Sequence, residues 1–251
     1  MTTNRITRSI LFLLILSVLV SLCACGGAAP QTTPAPTSAP ESTQEPASTS
    51  ESTPEPANSA EETAASEEAA GEVQEASGSN ILVLYFSRTG EQYNVGVIEK
   101  GNTAIVAESI GEAIGADLYE LLPADDHYPM TYKELTDVAL QEQRDGARPA
   151  YAGQLPDFDN YDTIFIGAPV WWGDWPMILY TVFESTPLEG KTLIPFSTHA
   201  GSGLSGFDRS LAACYPDCTI AKGLAIAGTD AQNNPDKVQS SVASWLSELG
   251  F

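Results

Sequence analysis

Five short apolar runs, each followed by a segment patterned for a helix, constrain this chain more than any other feature. The runs are Ile81–Phe86, Asp117–Leu121, Tyr161–Ala168, Lys191–Thr198 and Thr219–Ile226. Helical segments follow at Thr103–Ile114, Tyr132–Arg144, Pro176–Glu184, Gly206–Cys214 and Pro235–Leu249. A run that is apolar on both faces, such as Ile81–Phe86, suits the centre of a parallel sheet, whereas the alternation of Asp117–Leu121 suits an edge. Strands alternating with helices imply right-handed crossovers and a sheet covered on both faces. The expected architecture is α/β, a three-layer, doubly wound, five-stranded parallel sheet of order 2-1-3-4-5, with the fifth strand bent at Gly223. Ligands on such sheets bind beyond the carboxyl ends of the strands, at the switch point beside strand 1.

Two segments of another character precede this domain. Arg5 and Arg8 stand before an apolar run from Ile10 to Val20. That run is shorter than the ~20 residues of a membrane span and suits a signal segment. Leu22-Cys23-Ala24-Cys25 resembles a bacterial lipobox, with Cys25 the better lipid acceptor. Residues 1–24 are therefore expected to be a lipoprotein signal peptide. The mature chain would then start at Cys25, anchored by lipid to the outer face of the bacterial cell membrane. Residues 25–79 read as a disordered acidic tether of Pro, Ser, Thr and Glu, without Lys or Arg from Ala28 to Ser79. Such a composition buries too little apolar surface to offset chain entropy, and as a coil it spans on the order of 40 Å. Residues 80–251 form the globular domain. The formal net charge of −22 makes nucleic acid and anionic lipid headgroups poor partners.

The loop between the first strand and first helix carries Ser87, Arg88, Thr89, Gly90, Asn102 and Thr103. Unpaired amides and the positive end of a helix dipole make such a place an anion site. A polar turn in which Asn102 or Thr103 merely caps the helix is the plainer alternative. There is no Gly-Lys-Ser/Thr triplet, so the loop does not suit a nucleoside triphosphate. Ser87-Arg88-Thr89-Gly90 and Asn102-Thr103 resemble the two halves of the flavodoxin phosphate loop, separated here by Glu91–Gly101. The likeness is to flavodoxin-like proteins with an expanded loop, and it extends over Ile81 to Phe251. It implies a flavodoxin-like fold and flavin mononucleotide (FMN) as cofactor, its phosphate held by those six residues.

Two further loops bear on the ring. After the third strand come Pro169, Val170, Trp171, Trp172, Gly173, Asp174 and Trp175, with three Trp in five residues. A flat aromatic ligand explains such a loop, since indole offers a large stacking area at small entropic cost. Packing of the helix against the sheet is the alternative. Trp172 is expected to stack, with Trp171 second and Trp175 in the core, because residues of an extended segment point alternately. After the fourth strand, Thr198, His199, Gly201 and Gly203 let backbone approach a ligand closely. The resemblance implies that these two loops sandwich the isoalloxazine, with Gly173 the candidate for a redox-linked peptide flip.

FMN would supply the redox chemistry, and the acidic domain would push its anionic reduced form to lower potential. His199 either donates a hydrogen bond to flavin or substrate or simply orders its loop. His127 is expected to have a surface role. Two distant His without a Cys cluster argue against a metal site. Cys214 and Cys218 are expected to form a structural disulfide outside the cytoplasm. The function expected is electron transfer to a redox partner protein or small acceptor. The alternatives are an FMN-dependent NAD(P)H:quinone-type oxidoreductase and a non-catalytic surface module. Nicotinamides are scarce outside the cell, which disfavours the reductase.

Overall fold

The computed structural model describes residues 73–74 and 80–251; the signal segment, Cys25 and the rest of the expected tether lie outside the described residues. The strands are β1 (Val73–Gln74), β2 (Ile81–Tyr85), β3 (Gly90–Gln92), β4 (Gly96–Ile98), β5 (Asp117–Glu120), β6 (Thr163–Pro169), β7 (Thr192–His199), β8 (Thr219–Ile220) and β9 (Leu224–Ala227). The helices are α1 (Asn102–Ile114), α2 (Tyr132–Asp145), α3 (Met177–Ser185), α4 (Phe207–Cys214), α5 (Gly228–Asn233) and α6 (Pro235–Leu249). Strands β5, β2, β6 and β7 lie side by side in parallel, and β8 and β9 both pair with β7. Taking β8 and β9 as one interrupted strand, the order is the expected 2-1-3-4-5.

Period-two alternation divides the core between the sheet's faces. Leu82, Leu84, Phe86, Ile164 and Ile166 pack with Ile178, Val182, Phe207 and Leu211 of α3 and α4. Val83, Tyr85, Phe165 and Phe196 face the other way, onto Val106 and Ile110 of α1 and Val238, Val242 and Trp245 of α6. Burial on both faces is why the central strands read as continuous apolar runs rather than alternating ones.

The fifth strand breaks where Gly223 suggested, and β7 shows the reason. Thr219 and Ala221 donate to the carbonyls of Lys191 and Leu193. The next residue of β7 facing that edge is Pro195, which has no N–H to continue the ladder. The chain rises past it at Gly223, where a Cβ would lie 2.7 Å from the Pro195 carbonyl oxygen.

Two expectations need correction, and one insertion that the sequence leaves unread acquires a structure. Val73–Gln74 lies inside the segment read as tether, yet it pairs antiparallel with β5. An open edge recruits backbone regardless of side-chain composition, so composition alone missed it. The insertion Glu91–Gly101 contains most of a hairpin, with β3 antiparallel to β4. Cys214 and Cys218 are free thiols rather than a disulfide. Cys214 ends α4 in an exposed position, while the Cys218 thiol donates to the Leu188 carbonyl at 2.7 Å. Burial pushes both thiols above their ordinary pKa, so neither is primed as a nucleophile.

Candidate functional site

Strand β2 delivers Ser87 to the first turn of α1, where its hydroxyl accepts the Ala104 N–H at 3.0 Å. Gly101 makes this approach feasible, since a Cβ there would lie 2.1 Å from the Ser87 hydroxyl oxygen. The Asn102 and Thr103 amides have no partner among the described residues. Two free N–H groups at the positive end of a thirteen-residue helix suit an anion. Thr103 is fully buried, and its hydroxyl shares a 2.8 Å hydrogen bond with that of Thr198. This bond ties the helix start to the end of β7.

Both cations of the loop are already paired. The Arg88 guanidinium meets Asp126 at 2.7 Å, donates to the Tyr128 carbonyl at 3.0 Å and lies over the Tyr128 ring. Its Nε is buried without a hydrogen-bond partner among the described residues, so the side chain keeps one donor uncommitted. Lys100 pairs with Glu108. Thr89 is half-buried and its carbonyl accepts from Gln92. Gly90 has φ +85, and a Cβ there would lie 2.7 Å from the Met130 carbonyl, so the loop turns outward through a position open to glycine alone.

A cleft of about 390 Å³ opens over this floor, at the carboxyl ends of β2, β6, β7 and β9. The Val170 N–H donates to the Thr198 carbonyl at 2.9 Å, extending the β6–β7 ladder. That extension sets Pro169, Val170 and Trp171 beside Thr198 and His199 on the lining. Trp171 and Asp174 exchange two 3.0 Å backbone hydrogen bonds around a two-residue turn. Trp172 (φ 50) and Gly173 (φ 81) form its corner. Consecutive positive φ values make this a hairpin turn of the I′ type, which normally takes Asn, Asp or Gly first. A bulky indole there is strained, and such strain gathers at ligand sites.

The turn also corrects the alternation argument. Trp171 and Trp172 both line the cleft, because the segment doubles back instead of running extended. The Trp171 edge packs on Phe86 and Tyr128, with centroids 5.5 and 5.2 Å away. Trp172 is 53% exposed, held by an indole N–H to the Thr136 carbonyl at 2.8 Å. Trp175 sits in the core as expected, 1% exposed and stacked on Phe207 at 3.5 Å.

His199 lines the cleft, and its Nδ1 accepts the Gly201 N–H at 2.9 Å. The neutral ring therefore carries its proton on Nε2, a donor. Burial holds its pKa below the ordinary value, against an opposing pull from Asp230. Gly203 does not line the cleft; its carbonyl accepts the Ser197 hydroxyl. His127 is a surface residue bridging the Asp125 carbonyl and Glu142.

Sequence reading missed one whole wall. Gln92, Tyr93 and Val95 of the inserted hairpin, and Tyr132, Leu135, Thr136 and Ala139 of α2, all line the cleft. The hairpin docks on α2 through the Glu91 carboxylate, which accepts the Tyr132 N–H at 2.8 Å. Tyr93 and Tyr132 lie 5.4 Å apart at the mouth. The signal available was the pair of Tyr flanking polar loops, which alone does not say that they meet.

The comparisons with known proteins agree with this architecture. A candidate flavoprotein from Bacteroides eggerthii is 30% identical over 68% of this chain and 98% of its own, with a TM-score of 0.54. One from Bacteroides uniformis is 31% identical over 68% of this chain and 99% of its own, with a TM-score of 0.53. A flavoprotein from Lactobacillus acidophilus, solved in complex with FMN, is 22% identical over 66% of this chain and 97% of its own, at a TM-score of 0.49. No curated protein matches. The flavodoxin family profile matches residues 80–245, the span that builds both the sheet and the cleft, and the chain belongs to the flavodoxin family.

Proposed function

We propose that this chain binds FMN in the cleft and works as an electron-transfer flavoprotein. One observation carries the reading: an indole-lined cleft stands over a helix start with two unpartnered amides. The residues present fit the group. The Asn102 and Thr103 amides would hold the phosphate, with Ser87 and Thr103 keeping the helix start in place. Trp171 and Trp172 would cover the ring, and His199 Nε2–H would face a carbonyl or ring nitrogen. FMN supplies the capacity to take up and release one or two electrons. Neutral donors dominate the floor because Arg88 and Lys100 are bound to Asp126 and Glu108.

The domain would work outside the cytoplasmic membrane, held by lipid on Cys25 and a long acidic leash, and would exchange electrons with a redox protein or small acceptor. Cys25→Ser should abolish the lipid mass increment and release the protein from membranes; unchanged mass and partitioning would refute the anchor. The exposed Tyr93 and Tyr132 at the mouth support a second reading, direct reduction of a flat acceptor such as a quinone. NAD(P)H oxidation on addition of quinone separates the two.

The cofactor test is direct titration. FMN should give a flavin visible spectrum that remains with the protein on gel filtration, and riboflavin should bind far more weakly. Equal affinities would sink the phosphate assignment.

A further inference from the structure

Helix α5, absent from the sequence reading, places Gln232 against the loop that starts α1. Gln232 Nε2 donates to two oxygens, the Lys100 carbonyl at 2.8 Å and Asn102 Oδ1 at 2.9 Å. The first bond fixes the second. A backbone carbonyl only accepts, so the nitrogen end of Gln232 must face Lys100. The remaining hydrogen on that nitrogen then demands an acceptor, and the Asn102 atom it meets must be Oδ1. The Asn102 Nδ2 is left pointing elsewhere. It faces Gly228, where a Cβ would lie 2.7 Å away, and both Asn102 and Gly228 line the cleft.

We propose that Gln232 is a positioning residue for the anion site, locking the Asn102 amide with its Nδ2 hydrogens toward the ligand phosphate, and that Gly228 keeps the space this orientation needs. The inference rests on the FMN reading above. Without Gln232 the Asn102 amide could turn over, presenting a carbonyl oxygen to a phosphate and replacing attraction with repulsion. Gly228 matters here for volume, since a side chain at that place would push the Asn102 nitrogen out of line.

Gln232→Glu tests the orientation with little change of shape. A carboxylate only accepts, so it would draw Nδ2 toward itself and turn Oδ1 to the cleft. FMN affinity, followed by tryptophan quenching, should fall about tenfold or more, the scale of one lost hydrogen bond to a charged group. Riboflavin affinity should change less than about twofold, because the ring contacts are untouched. Gln232→Leu frees the amide without inverting it and should cause a smaller FMN-specific loss. Thermal unfolding of each apo variant reports whether the fold is kept. An equal loss for FMN and riboflavin, or a Gln232→Glu variant with wild-type FMN preference, would overturn the positioning role alone. A wild type without preference for FMN over riboflavin would overturn the phosphate reading and this inference with it.

Discussion

The floor of the cleft and its mouth are built on opposite terms. On the floor, polar side chains are committed: Ser87 to Ala104, Thr103 to Thr198, Asn102 to Gln232. In the core, Trp175 is buried against Phe207 and its indole N–H reaches Ser210 at 2.7 Å. At the mouth, Tyr93 and Trp172 are each more than half exposed. The floor thus spends its groups on holding one geometry, whereas the mouth keeps apolar surface unburied where a ligand or partner can cover it. Trp172 and Trp175 state the contrast most sharply, for they stand three residues apart on one loop.

The contrast predicts which changes harm the fold and which harm binding. Trp175→Ala should have the largest effect, lowering apo stability by about 3–5 kcal/mol in urea unfolding. A loss below about 1 kcal/mol would mean that the stacking on Phe207 contributes little beyond its shape. Thr103→Val should come next. It strands the buried Thr198 hydroxyl and should cost about 1–3 kcal/mol of apo stability. FMN affinity should drop as well, and a drop without any stability change would make Thr103 purely a ligand contact.

Trp172→Asn should reverse this pattern. Asn suits the first position of an I′ turn, so apo stability should hold or rise slightly. FMN binding should weaken by about 1–3 kcal/mol, on the scale of aromatic stacking. Titration calorimetry alongside thermal melts would show both, and normal FMN affinity would move the stacking role to Trp171. The smallest effect concerns pH. The folded-state pKa of His199 is lowered by burial, so its contribution to stability is present above its ordinary value and lost as pH falls through the folded one. His127 slopes the other way. The Asp125 carbonyl first, then Glu142, raises its folded pKa, so its contribution holds at low pH and is lost as pH rises through that value. His199→Gln should flatten the acid side of the apo stability profile, and His127→Gln the neutral side. Profiles identical to wild type would refute both assignments.

By itself the sequence determined the layer architecture, because a strand buried on both faces must be apolar along its length and a covering helix must carry an apolar stripe. Those demands fall on consecutive residues, so they show in a linear pattern. The polar loop after β2, the Trp-rich loop and the buried place of Trp175 were legible for the same local reason. The break of the fifth strand was half legible: Gly223 marked it, but its cause is Pro195 on the neighbouring strand. Only the tertiary structure decided which side chains meet. Val73–Gln74 joins the sheet through backbone pairing that no composition encodes. Cys214 and Cys218 are free thiols, with Cys218 turned to the Leu188 carbonyl thirty residues away. Arg88 turns from the cleft because Asp126 and Tyr128 stand behind it, and Gln232 reaches Asn102 across 130 residues. Hydrogen-bond partners distant in sequence leave no periodicity, since each depends on a single contact that the fold itself creates.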